Sequence, residues 1–146
     1  MNDYNLVSEG DGFEIFEVVP KKVTNGENAA GIFRTKCGEN INKQEVFMVM
    51  ALDGASEIIY TKTIFIGTLN QSLVHPREVF SDAIKKRAAG VIIAHNHPSG
   101  TLKASRADIT ITARLKESGK LLGIDLLDHI IITENGYYSL NDEGIL

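Results

Sequence analysis

The pattern of apolar and polar positions predicts six strands. Each stretch is rich in β-branched or other apolar residues and ends near a turn-forming residue, which is typical of strands. The stretches are 13–19, 45–52, 58–66, 91–94, 124–133 and 137–140. Asp53-Gly54 and Asn135-Gly136 are tight-turn signals, so two of the predicted connections are hairpins. The run 91–94 is wholly apolar, which predicts a strand covered on both faces.

Three other segments have the periodicity and end signals of helices. A short helix is predicted over 28–37 and ends at Gly38. The segment 76–89 begins with a proline, carries acid early and base late, and is followed by Gly90. The third predicted helix covers 105–122. Its candidates for the inward face are Ile109, Ala113 and Leu115.

This order of elements predicts an α/β fold, in which a mixed sheet carries helices packed on it. A length of 146 residues fits one globular domain. In folds of this kind ligands bind where strands end and helices begin. The segment 95–108 lies at such a junction, so the candidate chemistry should be sought there.

Composition narrows the classes of protein to consider. The formal net charge of -4 argues against a protein whose main role is to coat nucleic acid. Cys37 is the only cysteine, which excludes a disulfide framework and a thiolate zinc site and fits a reducing cytosol. The sequence offers neither a signal peptide nor an apolar run long enough for a membrane helix. We therefore expect a soluble, cytoplasmic protein.

Two histidines at the end of the predicted strand over 91–94 suggest a metal site. His95 and His97 are spaced i, i+2, so on a strand both imidazoles would point to the same side. Pro98 then turns the chain, and Ser105 and Asp108 stand at the start of the next helix. Two imidazoles and one carboxylate, with a fourth position left for water, form the catalytic type of zinc site.

The same residues also have a purely structural interpretation. A serine three residues before an acid is a helix-capping arrangement, and the residues after His97 are good turn formers. Capping and metal binding are nevertheless compatible. Asp108 in the first turn can point back toward the histidines, and the helix N-terminus favours its ionised form.

A catalytic metal site also needs a general base. Glu45 is a candidate because it is an acid at the start of an otherwise apolar strand, where a charge is costly without a partner or a function. Glu57, Glu78 and Glu117 are alternatives on predicted surfaces, and the spacing alone does not choose among the four.

The combination of Glu45, His95-x-His97, seven intervening residues and Ser105-x-x-Asp108 resembles the JAMM motif of the MPN/JAB metallopeptidases. Four local motifs resemble the RadC family of that superfamily more closely, in the family's order and over about two-thirds of the chain. These motifs are Phe65-Ile-Gly-Thr68, His75-Pro-Arg-Glu78, Ala94-His-Asn-His-Pro-Ser-Gly100 and Leu127-Asp-His-Ile-Ile131.

The resemblance implies a JAB/MPN fold, a cytidine-deaminase-like three-layer sandwich, over 41–146, with 1–40 as an N-terminal extension packed on it. It implies one zinc ion per chain, bound by His95, His97 and Asp108. Glu45 would be the general base and later the proton donor, and Ser105 would help to hold the oxyanion. Asp128 and His129 match a family motif, and we interpret them as structural residues or as supports for the metal ligands.

The expected function is therefore zinc-dependent hydrolysis of an amide, with a peptide or protein as the substrate. The alternative is a DNA-repair-associated protein that binds or processes nucleic acid. The longer RadC proteins carry an N-terminal helix-hairpin-helix module linked to DNA binding, and residues 1–40 are too short and too unlike it.

A non-catalytic interaction domain is a third possibility, and the five candidate residues argue against it. A zinc deaminase is disfavoured because it needs a Cys-x-x-Cys pair. The sequence gives no indication of the oligomeric state.

Overall fold

The chain alternates between hairpins and strand–helix–strand units, as the sequence predicts. The computed structural model describes residues 4–9, 15–67 and 74–146, with side chains described for 21–67 and 74–146. In chain order the described elements are β1 (Tyr4–Glu9), β2 (Ile15–Pro20), α1 (Gly26–Cys37), a short 3₁₀ helix (Gly38–Asn42), β3 (Val46–Leu52), β4 (Ile58–Ile66), α2 (Pro76–Lys85), β5 (Gly90–Asn96), α3 (Arg106–Leu122), β6 (Asp125–Ile132) and β7 (Tyr137–Ser139). The first two residues of the predicted strand over 13–19 lie outside the described residues.

The larger sheet in the described part of the chain has the strand order β4-β3-β5-β6-β7. Strands β5 and β6 are parallel, whereas the other neighbouring pairs are antiparallel. A parallel pair needs a crossover connection, and α3 provides it between β5 and β6. The sheet is therefore mixed, as predicted. Strands β1 and β2 form a separate antiparallel hairpin.

Helices cover both faces of this sheet. Ala29, Ala30 and Phe33 of α1 pack with Met48 and Met50 on one face. On the other face, residues of α2 and α3 pack with alternate residues of β3 and β5, in a cluster that includes Phe47, Val49, Phe80, Ile93 and Leu115. Every residue of β3 and of β5 is buried. The predicted three-layer α/β arrangement is therefore confirmed.

The predicted end of the second helix was wrong. Helix α2 ends at Lys85 and not at residue 89. Arg87 takes a positive φ of 55°, and the Ala88 amide donates to the Ala83 carbonyl, which closes the helix in the way usually associated with a glycine. The Ala89 amide already donates to the Leu52 carbonyl at 2.9 Å, so the chain enters the sheet there. Gly90 is consequently the first residue of β5.

The predicted inward face of the third helix was partly wrong. Leu115 is buried, but Ile109 is 41% exposed and Ala113 is also exposed. The buried positions of α3 are Asp108, Ile111, Thr112, Leu115 and Gly119. The buried face of α3 therefore includes Asp108, an acid that a pattern of apolar residues alone would place on the exposed face.

The predicted boundary between an extension over 1–40 and a domain over 41–146 remains a prediction. Helix α1 falls within the first range and is part of the core beneath the sheet. Among the described residues, no helix combines the length and the apolar character that a membrane span requires.

Substitution by alanine should have opposite effects on the free energy of unfolding at two glycines that lie within helices. A Cβ on Gly119 would overlap the Ile124 carbonyl oxygen and approach the Phe80 ring to 3.1 Å, whereas nothing lies within 4 Å of a Cβ on Gly31. We expect Gly119→Ala to lower the free energy of unfolding by about 1–3 kcal/mol through overpacking. Gly31→Ala should raise it by about 0.5–1 kcal/mol through helix propensity. Urea denaturation of both variants measures this difference, and a stabilising Gly119→Ala would contradict the packing described here.

Candidate metal centre

The end of β5 delivers both histidines to one point. Strand pairing continues one residue beyond β5, since the His97 amide donates to the Ile132 carbonyl at 3.0 Å. The chain then turns sharply, with the Gly100 amide donating to the His97 carbonyl at 2.9 Å and a positive φ of 86° at Gly100. A side chain is disfavoured at this φ, so the turn after His97 depends on a glycine.

Helix α3 begins opposite the histidines with a complete capping box. The Ser105 hydroxyl accepts from the Asp108 amide at 3.1 Å, and Asp108 Oδ2 accepts from the Ser105 amide at 2.7 Å. Such a cap stabilises a helix by about 1 kcal/mol. It also fixes the Asp108 carboxylate on the inner side of the first turn. The Asp108 side chain therefore both caps α3 and meets the two histidines.

Three candidate ligand side chains form a small triangle, in which each histidine faces a different oxygen of Asp108. His95 Nε2 lies 3.0 Å from His97 Nε2 and 3.1 Å from Asp108 Oδ1, and His97 Nε2 lies 3.3 Å from Asp108 Oδ2. A tetrahedral zinc with ligands at about 2.0–2.1 Å separates its ligand atoms by about 3.3–3.4 Å. The side chains of His95 and Asp108 are 0% and 1% exposed, and that of His97 is 14% exposed. His95, His97 and Asp108 could therefore hold a metal ion that is reached from the His97 side.

The electrostatics of this triangle favour an ionised Asp108. Burial alone would raise the pKa of the Asp108 carboxyl, but hydrogen bonds with His95 and His97 outweigh it and hold this pKa well below its usual range. The same contact with Asp108 raises the pKa of His97 above its usual value, against the effect of burial. A buried carboxylate needs positive or hydrogen-bonding partners of this kind. A divalent cation would satisfy the same requirement.

An open cleft of about 440 Å³ leads to the triangle. Its lining residues are Glu45, His97, Pro98, Ser99, Thr101, Lys103, Ala104, Ser105, Ala107 and Asp108. Glu45 immediately precedes β3, and its charge contributes to the raised pKa of His97. The structure therefore brings all five residues that the sequence singled out to one place. Four of them line the cleft, and His95 lies behind them.

Asn96 connects the histidines to the Glu45 segment. Its side chain is fully buried, and its Oδ1 accepts from the Val46 amide at 2.7 Å. Its Nδ2 lies within hydrogen-bonding distance of three carbonyl oxygens, those of Asn40, Ile41 and Gln44, at 3.2, 3.0 and 2.9 Å. The amide group thus binds the backbone on both sides of Glu45. One side chain between the two histidines fixes where the candidate base stands.

The second ring nitrogen of each histidine has its own partner. His97 Nδ1 lies 2.8 Å from the Thr101 carbonyl oxygen, which can only accept, so this nitrogen donates. His95 Nδ1 lies 2.8 Å from His129 Nε2. The Phe47 ring stacks on His95 with centroids 6.3 Å apart and meets His129 edge-on. The Phe47 and His129 rings therefore enclose the side of His95 that faces away from the cleft.

Asp128 and His129 occupy opposite faces of β6. Asp128 accepts from the Ser139 hydroxyl and from the Asn141 and His129 amides, so it joins β6 to the segment around β7. Burial raises the pKa of Asp128, and these hydrogen bonds oppose that effect. His129 instead contacts His95 and, through Nδ1 at 2.6 Å, the Thr112 hydroxyl.

The sequence interpretation assigned no part in the site to Asn96 or Thr112. Thr112 had a detectable signal, because it lies four residues after Asp108 and therefore on the same face of α3. His129 was singled out by a family motif, as a structural residue or a support for the metal ligands, and the structure places it against His95. For Asn96 the signal is absent, because its partners lie 50–56 positions away along the chain.

Comparisons with known proteins agree with the fold described above. The sequence matches the family of RadC-like JAB domains over residues 23–145. A UPF0758 protein of Clostridium botulinum strain Hall is 56% identical over 104 residues, which are 71% of this chain and 46% of the relative. A UPF0758 protein of Methanospirillum hungatei JF-1 is 58% identical over 103 residues, which are 70% of this chain and 46% of the relative. The chain thus spans less than half the length of these curated relatives.

Loss of the Asn96 side chain should be costly. Asn96→Ala leaves the Val46 amide and the carbonyls that face it without their partner in a buried place, where each unsatisfied group costs about 1–3 kcal/mol. We expect a loss of about 3–5 kcal/mol in the free energy of unfolding, measured by urea denaturation. Asn42→Ala is a matched control, because Asn42 donates to Glu134 in an exposed position and its removal should cost less than about 1 kcal/mol. Equal losses in the two variants would contradict the role of Asn96.

Proposed function

Because the chain belongs to the family of RadC-like JAB domains, we propose that it is a zinc-dependent hydrolase that cleaves an amide bond in a peptide or protein. The family and the cluster of His95, His97 and Asp108 are compatible with a metal-dependent hydrolase. The names of the relatives specify no activity. Zinc as the metal and a peptide or protein as the substrate are therefore our proposal.

The proposal depends chiefly on one observation. Three side chains of the types that zinc prefers approach one another to 3.0–3.3 Å through their nitrogen and oxygen atoms, and the side of the triangle at His97 and Asp108 opens into a cleft that Glu45 also lines. Three protein ligands with one accessible position are the catalytic form of a zinc site. We expect one zinc ion per chain.

Each residue then has a chemical role. Zinc held by His95, His97 and Asp108 would supply a Lewis acid that polarises a carbonyl and makes water nucleophilic near neutral pH. Glu45, at the cleft wall, would take the proton from the attacking water and return it to the leaving amine. Ser105 keeps its hydroxyl hydrogen while its oxygen caps α3, so it can donate to an oxyanion in the cleft.

The composition supports an amide substrate over two other possibilities. A zinc deaminase uses cysteine ligands, and the single cysteine, Cys37, is buried and lies on α1. A nucleic-acid substrate would favour a basic face, whereas the net charge is -4. Among the residues that line the cleft, Lys103 is the only cation with a long side chain. The single cysteine also supports a cytoplasmic location, which we propose together with the activity.

The metal and the base can be tested separately. We expect the purified protein to bind one zinc per chain, as measured by atomic emission, and expect His95→Ala and Asp108→Ala to reduce that content to background. Glu45→Gln should retain zinc but cleave peptides at least about 100-fold more slowly, because it removes the general base. Cleavage can be followed by mass spectrometry on a library of proteome-derived peptides at matched zinc content.

Glu57→Gln is the control for Glu45→Gln, since Glu57 is an acid outside the cleft that pairs with Lys21. It should leave both zinc content and cleavage unchanged. A wild-type protein that binds no zinc when offered an equimolar amount would overturn the proposal as a whole. Equal cleavage by wild type and Glu45→Gln would remove Glu45 from the mechanism.

The nucleic-acid alternative makes a distinct prediction. If the chain contacted several phosphates, its affinity for DNA would fall steeply with salt, by about 10³–10⁵ between 50 mM and 200 mM for 6–10 contacts. We expect no measurable binding to single- or double-stranded DNA even at low salt, as measured by fluorescence anisotropy. Tight binding with a steep salt slope would favour the alternative.

A further inference from the structure

We propose that Thr112 and His129 are positioning residues that hold His95 in the tautomer whose Nε2 lone pair faces the metal. The proposal rests on the zinc site proposed above, but its structural basis lies outside the triangle of ligands. It is a buried chain of hydrogen bonds that runs from the Asp108 carbonyl through Thr112 and His129 to His95. Thr112 and His129 are 3% and 0% exposed, so their polar atoms pair with neighbouring protein groups and not with solvent.

The direction of the chain follows from the Thr112 hydroxyl. Its oxygen lies 2.6 Å from the Asp108 carbonyl oxygen and 2.6 Å from His129 Nδ1. A carbonyl oxygen carries no hydrogen, so a contact this short between two oxygens requires the hydroxyl hydrogen to lie between them. A hydroxyl has only one hydrogen to donate. His129 Nδ1 must therefore carry a hydrogen and donate it to Thr112.

The next link follows from the burial of His129. The ring is 0% exposed, and its two nitrogens hydrogen-bond to the Thr112 hydroxyl and to His95, neither of which carries a negative charge. A buried positive charge without such a partner is strongly disfavoured, so this ring is neutral and carries one hydrogen. Because that hydrogen is on Nδ1, Nε2 of His129 can only accept. His95 Nδ1, at 2.8 Å, must be the donor. With this hydrogen held on Nδ1, the Nε2 atom, which faces His97 and Asp108, can offer its lone pair to a metal ion. Without a metal, the same Nε2 can carry a hydrogen and donate it to Asp108 Oδ1.

The two histidine ligands are thus oriented by different means. His97 is fixed locally, by a carbonyl four residues along its own loop. His95 is fixed by two side chains on other elements, α3 and β6, and that chain begins at the backbone of the third ligand. The position of α3 and the tautomer of His95 are consequently linked. Residues in this position typically change metal affinity by about 10–100-fold when they are mutated.

Thr112→Val tests the chain, because valine keeps the shape of threonine but offers neither a donor nor an acceptor. The Nδ1–H tautomer of His129 would then leave a buried N–H without an acceptor, which is costly. The Nε2–H tautomer avoids this, because it donates to His95 Nδ1 and so places the His95 hydrogen on Nε2. We expect zinc affinity, measured by competition with a chromophoric chelator, to fall about 10–100-fold in Thr112→Val. Thr112→Ser keeps the hydroxyl and should restore the affinity to within about 3-fold of wild type.

Thr110→Val is the matched control on the same helix. The Thr110 hydroxyl makes the same type of bond to the carbonyl four residues earlier, that of Arg106, but on the exposed face. This variant should bind zinc as tightly as wild type. A loss equal to that of Thr112→Val would show that the effect comes from the helix and would overturn the proposal. An unchanged zinc affinity in a folded Thr112→Val would also overturn it.

The tautomer itself can be read in the metal-free protein by long-range ¹H–¹⁵N NMR of the histidine rings. We expect His129 to carry its hydrogen on Nδ1 in wild type and Thr112→Ser, and on Nε2 in Thr112→Val. A hydrogen on His129 Nε2 in the wild type would overturn the proposal whether or not Thr112→Val folds. Because this measurement needs no metal, it remains decisive even if wild type binds no zinc, an outcome that would count against the proposed function alone.

Discussion

The buried carboxylate of Asp108 is the constraint on which the rest of the site depends. An ionised carboxylate with 1% exposure is tolerated in a protein only when hydrogen-bond donors and positive charge compensate for the lost water. Here the Ser105 amide, His95 and His97 provide that compensation. The compensation cannot be local to α3, because two of the three partners belong to the end of β5 and the turn after it. Helix and strand must therefore dock in a fixed relation before the charge can be buried.

This constraint explains why the apolar periodicity of α3 predicted its buried face only in part. The periodicity of α3 predicted Ile109 and Ala113 as inward residues, yet both are exposed, because the helix is rotated so that Asp108 faces the sheet. Once Asp108 is placed inside, its helical repeat predicts Thr112 and Leu115 as buried, as they are. The wrong end of α2 has a different origin. A non-glycine residue, Arg87, takes the left-handed conformation that the sequence pattern assigned to glycine.

Local patterns were sufficient for most of the sheet and for the cluster of His95, His97 and Asp108, since strand alternation, turn signals and the spacing of these three residues all act over short distances. Contacts between distant elements were not predictable in this way. The amide of Asn96 fits the backbone around Glu45 only because β3 and β5 pair with Phe47 opposite His95. The contact between His95 and His129 likewise requires the parallel register of β5 and β6, in which Ile93 pairs with His129. A single sequence specifies neither register directly.

The residues of the site all fall within the region that matches the RadC-like JAB family, between positions 45 and 129 of the matched range 23–145. The chain covers 46% of the length of its curated relatives, and the family match over 23–145 includes the candidate ligands, the candidate base and the residues that hydrogen-bond to them. Within that part the ligands differ in their freedom. His95 is enclosed by Phe47 and His129, whereas His97 is 14% exposed and its Nδ1 is held by the Thr101 carbonyl of the following turn. The enclosed His95 thus fixes the geometry of the cluster from inside the fold, whereas His97 forms part of the wall of the open cleft.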